Sequence, residues 1–299
     1  MTTKENNTTP SKASLRGVGR LSIAIQGIAG SFHESAARLF FPNEEVNIIP
    51  CSSFKEVFKT VKESPETIAV VAIENTIAGS LLPNYDLIRA SGLSIVGEHK
   101  LRIKHCICAL PGQNLKDLKE VYSHPIALMQ CTDFLEANPQ LKAITYEDTA
   151  SSARMIAEKK LMGAAAICSA FAAQMYGLEV LQDGIETNKR NFTRFLVLAS
   201  AEQAEKLRNG KVLNKSSLVF SVAHSAGALS KVLSIFTFYD INLTKIQSLP
   251  IIGREWEYQF YVDLQYDDHK RYLQSLEAIR PLTKDLVSLG DYAEGEQTI

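Results

Sequence analysis

The sequence predicts an α/β protein in two parts: an alternating strand–helix region over residues 21–200 and a ferredoxin-like βαββαβ unit over residues 216–292. Three observations carry this. Short apolar runs alternate with amphipathic stretches from Leu21 onward, the pattern of parallel strands joined by crossover helices. Capping residues mark the helix starts, directly after strand ends. Composition turns charged over residues 201–215, around Gly210, as in a linker or a helix leading into one, and a second series of six elements follows.

Apolar runs at 21–26, 46–50, 68–73, 93–98, 105–110, 120–123, 143–145, 164–168 and 195–199 predict strands. Helices are expected over 31–40, 54–62, 125–136, 149–160 and 170–176. Ser31 with Glu34, and Ser53 with Glu56, fit the S-x-x-E capping box. Pro125 falls at a first-turn position, where its missing N–H costs nothing. Asp148 and Ser169 are expected N-caps and Gly177 a residue just past a helix end. Several helix N-termini next to strand ends suit a small anion, because free N–H groups and the helix dipole favour negative charge there. In the second part, 217–222 predicts a strand and Leu229, Val232, Leu233 and Phe236 recur at helical spacing. Residues 243–252 and 255–265 alternate like a hairpin turning near Gly253, then 269–279 reads as a helix and 286–290 as a last strand. Residues 1–20 are polar and lack an apolar core, so they read as a disordered leader and not as a secretory signal. Residues 293–299 read as a tail.

At 299 residues the chain is too long for one ordinary domain, and 45% hydrophobic residues against 22% charged suffice to build real cores. A net charge of -1 without a basic stripe argues against a nucleic-acid partner. No apolar run of about 18 residues is present, which argues against a membrane span. The five cysteines are odd in number and mostly within apolar stretches, and Cys106 and Cys108 lack the spacing of a zinc knuckle. Free thiols in a cytoplasmic protein are expected. A dinucleotide fingerprint, a P-loop, a metal-ligand run and a recognisable nucleophile–base triad are all missing, so neither cofactor nor metal is expected.

Four polar clusters lie in apolar surroundings. Gly27-Ile28-Ala29-Gly30-Ser31 is a turn that lets backbone approach a ligand. Glu74-Asn75-Thr76, followed by Gly79-Ser80, stands at a strand end, where core packing explains a carboxylate and an amide poorly. Ser123-His124-Pro125 precedes Gln130 and Cys131; a strand-end histidine such as His124 is more often a hydrogen-bonding residue than a base. The fourth cluster, residues 188–195, places Thr193 and Arg194 just before an apolar strand, where an arginine can hold a carboxylate bidentately. From residues alone, the expectation is a small anionic molecule bound between subdomains.

These clusters together resemble the prephenate dehydratase family, over about residues 21–292. VVAIENTIAGSLLPNYD (70–86) is similar to its strand-and-loop segment with an E-N-[ST] signature. VYSHPIALMQCTDFL (121–135) resembles its S-H-P-x-A-x-x-Q-C segment. AAAICSAFAAQMYGLEVL (164–181) and then NFTRFLVL (191–198) carry its T-R-F signature at Thr193-Arg194-Phe195. The glycine turn departs from the family's G-P-x-G-[ST]-[FY]-[ST], with Ile28 in place of proline and His33 in place of the last hydroxyl. The resemblance implies a two-lobed, periplasmic-binding-protein-like catalytic region over 21–200. One lobe comprises about 21–104 and 181–200, the other about 105–180, and the substrate lies between them. It implies conversion of prephenate to phenylpyruvate, carbon dioxide and water in phenylalanine biosynthesis, with arogenate dehydratase as the close rival. It assigns catalysis to Thr193; beside it, Glu74 is the candidate proton source, and Ser31, Asn75, Thr76, Ser80, Ser123, Gln130, Arg194 and Phe195 are the expected substrate contacts.

The second part resembles a phenylalanine-sensing ACT domain. Gly227-Ala228-Leu229 is similar to its G-A-L motif, and Gln247-Ser248-Leu249-Pro250 stands where the family has E-S-R-P. The resemblance implies L-phenylalanine as an effector at these seven residues, and a homodimer or dimer-of-dimers tetramer.

Overall fold

A computed structural model describes residues 20–298. Apart from Arg20, the leader expected over residues 1–20 lies outside the described residues. The chain forms two α/β lobes and a C-terminal domain.

Lobe one is built from β1 (Leu21–Gln26), α1 (Phe32–Phe40), β2 (Val46–Cys51), α2 (Phe54–Glu63), β3 (Ile68–Asn75), β4 (Gly79–Ser80), α3 (Leu82–Ser91) and β5 (Ser94–Arg102). The chain then forms lobe two: β6 (Cys106–Ala109), β7 (Glu120–Ser123), α4 (Pro125–Gln130), α5 (Thr132–Glu136), β8 (Lys142–Thr145), α6 (Thr149–Lys159), β9 (Ala164–Cys168), α7 (Ala170–Met175) and β10 (Glu179–Asp183). It returns to lobe one as β11 (Phe192–Ala199) and α8 (Ala201–Arg208). The C-terminal domain holds β12 (Lys215–Val222), α9 (Ala228–Phe238), β13 (Asn242–Pro250), β14 (Tyr258–Gln265), α10 (His269–Ile279) and β15 (Thr283–Tyr292), and β16 (Gln297–Thr298) ends the chain.

The sheet of lobe one runs β16-β5-β11-β3-β1-β2, with β4 paired to β3. Its central strands bury both faces, as strands with helices on either side must. Ile23, Ile25, Ile68 and Val70 pack toward α1 and α8, whereas Ala24, Ala69, Val71 and Ile73 face α2, α3 and the C-terminal domain. Lobe two has the order β10-β6-β9-β7-β8. The two crossings between lobes run side by side, tied by Ile103 N to Asn191 O (2.7 Å) and Ile185 N to His105 O (3.0 Å). The C-terminal sheet, β13-β14-β12-β15, is the ferredoxin-like order expected. One face packs under α9 and α10 around Phe220, Phe236 and Tyr272; the other puts Val219, Tyr261, Leu289 and Tyr292 against lobe one.

Three sequence expectations need correction: the single helix over 125–136, the exit from lobe two, and the tail. The helix over 125–136 breaks at Cys131 into α4 and α5. β10 pairs with β6, so the chain leaves lobe two after Asp183, later than expected. Of the two forms expected for 201–215, the helix leading into a linker is found: α8, whose Ala204 is buried on lobe one, precedes a short loop. The tail is a strand: β16 lies parallel to β5, with Lys100 N donating to Glu296 O (3.0 Å) and Gly295 N to Glu98 Oε1 (3.2 Å). An open sheet edge and a buried carboxylate recruit a segment with little apolar content of its own.

Candidate active site

A cavity of about 470 Å³ opens between the lobes, lined from lobe one by Ser31, His33, Asn75, Ser80, Thr193 and Phe195. Lobe two contributes His105, His124, Gln130 and the start of α6 at Asp148 and Thr149. The first wall is set by the glycine turn. Gly30 has φ +87°, and a Cβ there would stand 3.2 Å from the Ala172 Cα of α7, so only glycine lets the lobes meet this closely. Tyr176 donates to Ala29 O (2.6 Å) across the same contact. Ser31 then caps α1 by accepting from Glu34 N. The first N–H groups of that helix have no intrahelical acceptor, and Ser31, Phe32 and His33 at its start line the cavity.

A hydrogen-bonded chain crosses the floor. His105 Nε2 meets Gln130 Oε1 at 3.0 Å, and Gln130 Oε1 also accepts from Asn191 Nδ2 at 2.9 Å. Asn191 Oδ1 accepts from Asn75 Nδ2 (2.8 Å), which also donates to Thr193 Oγ1 (3.0 Å). Asn75 Oδ1 in turn accepts from Ile77 N and Ala78 N, which fixes the amide's orientation. Thr193 Oγ1 is thus held as an acceptor, and its own hydrogen is left to donate into the cavity.

Burial pushes His33 down to about 4, and its Nε2 accepts from Ala72 N, so the ring is neutral with its proton on Nδ1. Burial also lowers His105 and His124. His124 Nδ1 accepts from Ile126 N at the start of α4, the hydrogen-bonding role expected of it.

Strand alternation divides the remaining candidates. On β11, Thr193 and Phe195 face the cleft, and Arg194 between them faces the C-terminal domain. Its Nε donates to Glu98 Oε2 (2.6 Å), Nη1 to Asp263 and Nη2 to the Tyr292 hydroxyl (3.1 Å). Arg194 therefore does not reach the cleft, contrary to the sequence expectation. Burial alone would raise the Glu98 carboxyl, but Arg194 and Lys215 outweigh it and hold it below the usual range. Glu74 pairs in register with Arg194, shares its face, and is bonded to Lys245 Nζ at 2.9 Å, so it too points away from the cavity. Thr76 accepts from Phe192 N and donates to Arg190 O, a loop clasp outside the cavity lining. Ser123 is wholly buried and donates to Ile167 O (2.6 Å).

Ser31, Asn75, Gln130, Thr193 and Phe195 are thus brought together; Ser80 borders the cavity but its hydroxyl is bonded to Lys245 on the face of its partner Glu74, and Glu74, Thr76, Ser123 and Arg194 lie outside the lining. The lining contains no arginine or lysine. Sequence reading included Asn191, the knot between the lobes, in the fourth cluster but gave it no role, although it stands two residues before Thr193, where period-two alternation could have pointed to it. In the C-terminal domain, Gly227 caps α9 with φ 75°, and Ala228 and Leu229 form its first turn. Gln247, Ser248 and Pro250 lie on the edge strand β13, while the Leu249 side chain is committed to the core against lobe one and is closed to an effector.

Two lobes facing a cleft whose lining holds no lysine or arginine, with a ferredoxin-like domain packed behind one of them, define a two-lobed α/β class with an attached βαββαβ domain. The chain belongs to the prephenate dehydratase family: residues 23–203 match the family described as "Prephenate dehydratase". It is 39% identical over 255 residues to arogenate dehydratase/prephenate dehydratase 2, chloroplastic, of Arabidopsis thaliana, covering 82% of this chain. It spans 65% of that relative's length. Among solved structures, the prephenate dehydratase of Arthrobacter aurescens in complex with L-Phe matches with a TM-score of 0.79 and 26% identity, over 91% of this chain and 90% of that one. A structure described as GqqA, a novel type of quorum quenching acylases, matches with a TM-score of 0.80 and 28% identity, over 92% and 98%.

Proposed function

We propose that this chain converts prephenate to phenylpyruvate, carbon dioxide and water. The observation that carries the reading is Thr193 Oγ1, held as acceptor by Asn75 with its hydrogen free toward the cleft. In the reaction, the bond from the ring to its carboxylate breaks and releases carbon dioxide. That electron pair forms the new ring double bond, and the hydroxyl departs from the opposite ring carbon, taking up one proton to leave as water. Thr193 donates a hydrogen bond to the departing oxygen, where negative charge grows in the transition state. With no guanidinium in the lining, the carboxylates are held by neutral donors: the α1 N-terminus at Ser31–His33, the α6 N-terminus at Thr149, and the Gln130 amide. Glu74, bonded to Lys245 behind the sheet, is not the proton source in this scheme.

The Arabidopsis relative's double name favours testing arogenate beside prephenate, and the acylase match favours including an N-acyl substrate. Purified protein is expected to form phenylpyruvate from prephenate, or phenylalanine from arogenate, with the higher kcat/KM naming the substrate. Release of free acid from an N-acyl substrate with neither dehydration would replace this reading. The structure in complex with L-Phe supports L-phenylalanine as the effector, and the βαββαβ order of the C-terminal domain supports an ACT-type sensor; a homodimer or tetramer is what the family resemblance implies for it. No helix among the described residues is long and apolar enough to cross a membrane. The five cysteines, all free and buried, support a reducing compartment such as the cytoplasm.

A further inference from the structure

We infer that Lys245, on β13 of the C-terminal domain, is a positioning residue for the cleft, resting on the dehydratase reading above. Its Nζ lies 2.9 Å from Glu74 Oε1 and 3.0 Å from Ser80 Oγ, and its side chain is only 12% exposed. Glu74 and Ser80 are direct partners across the β3–β4 hairpin. One ammonium therefore clasps both strands of that hairpin from behind. Asn75 sits inside it, one residue after Glu74, with the turn amides of Ile77 and Ala78 on its oxygen and Thr193 Oγ1 on its nitrogen. Ser80 itself lines the cavity.

Without the ammonium, Glu74 loses its ion-pair partner and Ser80 its donor, and the hairpin that aims Asn75 at Thr193 is held at one strand fewer. Among the hydrogen bonds and ion pairs of the described residues, Lys245 reaches the cavity lining only at Ser80, so it acts through the hairpin. β13 is also the strand that carries Gln247, Ser248 and Pro250, with Gln247 two residues further along on the same face. Displacement of β13 is then transmitted to the cleft by a covalently short path: Lys245 to Glu74 and Ser80, Asn75, Thr193.

The test is steady-state kinetics on the full chain, with prephenate and arogenate, for wild type, Lys245→Met, Lys245→Arg, Glu74→Gln and the double variant K245M/E74Q. Lys245→Met is expected to lower kcat about 3- to 10-fold while KM moves less than twofold, a range usual for residues coupled to a site at a distance. Lys245→Arg, which keeps the cation, is expected to recover at least half of the lost kcat. The double variant should be no worse than Lys245→Met alone, because both changes break one contact. Unchanged kcat in Lys245→Met, no recovery in Lys245→Arg, or a double variant showing the product of two independent losses overturns the inference. An active wild type with an indifferent Lys245→Met sinks this inference alone. A wild type inactive on both substrates sinks the dehydratase reading and this one with it.

Discussion

Thr193 and Arg194 are neighbours in sequence with opposite work. The threonine hydroxyl is free toward the cleft, whereas every nitrogen of the arginine side chain is engaged behind the sheet by Glu98, Asp263 and Tyr292. Replacing Arg194 by methionine leaves two carboxylates short of their buried partner. The expected cost is about 3–5 kcal/mol of stability, read by urea unfolding. Substrate KM in the surviving folded fraction should stay near wild type, and a selective rise in KM would return the arginine to the cleft. The histidines make a second expectation. His33, His105 and His124 all have folded pKa values below the ordinary 6.5 through burial, so all three are neutral above about pH 7. Catalysis should show no histidine step between about pH 7 and about 8.5. The sign for stability follows: below pH 6.5 the unfolded chain takes up the proton that folded His33 refuses until about pH 4, so stability falls as pH drops across that window. A kcat profile with a step near 7.5 would contradict the assignment.

Among the elements, the glycine turn and the last strand are the most exposed to test. Gly30→Ala places a Cβ against the backbone of α7 at a left-handed φ, which costs about 1–2 kcal/mol from conformation alone. A drop in Tm with reduced turnover is expected, since the same turn presents Ser31 to the cleft. Deleting residues 293–299 removes β16 and the Gly295 N–H that Glu98 accepts. Amide exchange at Lys100 should then accelerate, because its acceptor Glu296 O is gone. Unaltered exchange would mean the strand does not pair in solution. This strand also marks the limit of sequence reading. The helix starts at Ser31, Ser53, Asp148 and Ser169 were legible because capping is local chemistry. A polar two-residue strand paired with a partner some two hundred positions earlier carries no local signal. Glu74 beside Asn75, and Thr193 beside Arg194, were legible as polar clusters, but adjacent strand residues face opposite ways and only one of each pair reaches the cleft.

For the whole molecule, the C-terminal domain is part of the catalytic lobe's architecture more than an appendage. Its sheet closes the core behind β3, β5 and β11, and it supplies Asp263 to Arg194 of β11, Lys215 to Glu98 of β5 and Lys245 to Glu74 of β3. The buried set Arg194, Lys215, Glu98 and Asp263 is balanced in sign, which keeps the cost of burying four charges tolerable. Glu98, held low by its two cations, contributes stability above its unfolded value near 4.5, lost as pH falls through the lower folded value. Domain docking and lobe stability should therefore fail together in acid. The α/β alternation and the βαββαβ order were readable from the sequence pattern, and the two-lobed outline from the family resemblance. The docking was not, since it depends on which face each polar residue takes once both sheets have formed. The arginine expected to grip a dianion is instead engaged behind the sheet by Glu98, Asp263 and Tyr292.

The most direct test is kcat for Thr193→Ala, followed by phenylpyruvate absorbance with prephenate in saturating amount. Removing one oriented donor to a developing negative charge predicts a fall on the order of 100-fold or more with an unchanged circular dichroism spectrum. Turnover within a few fold of wild type would contradict the claim that this hydroxyl helps the leaving oxygen depart.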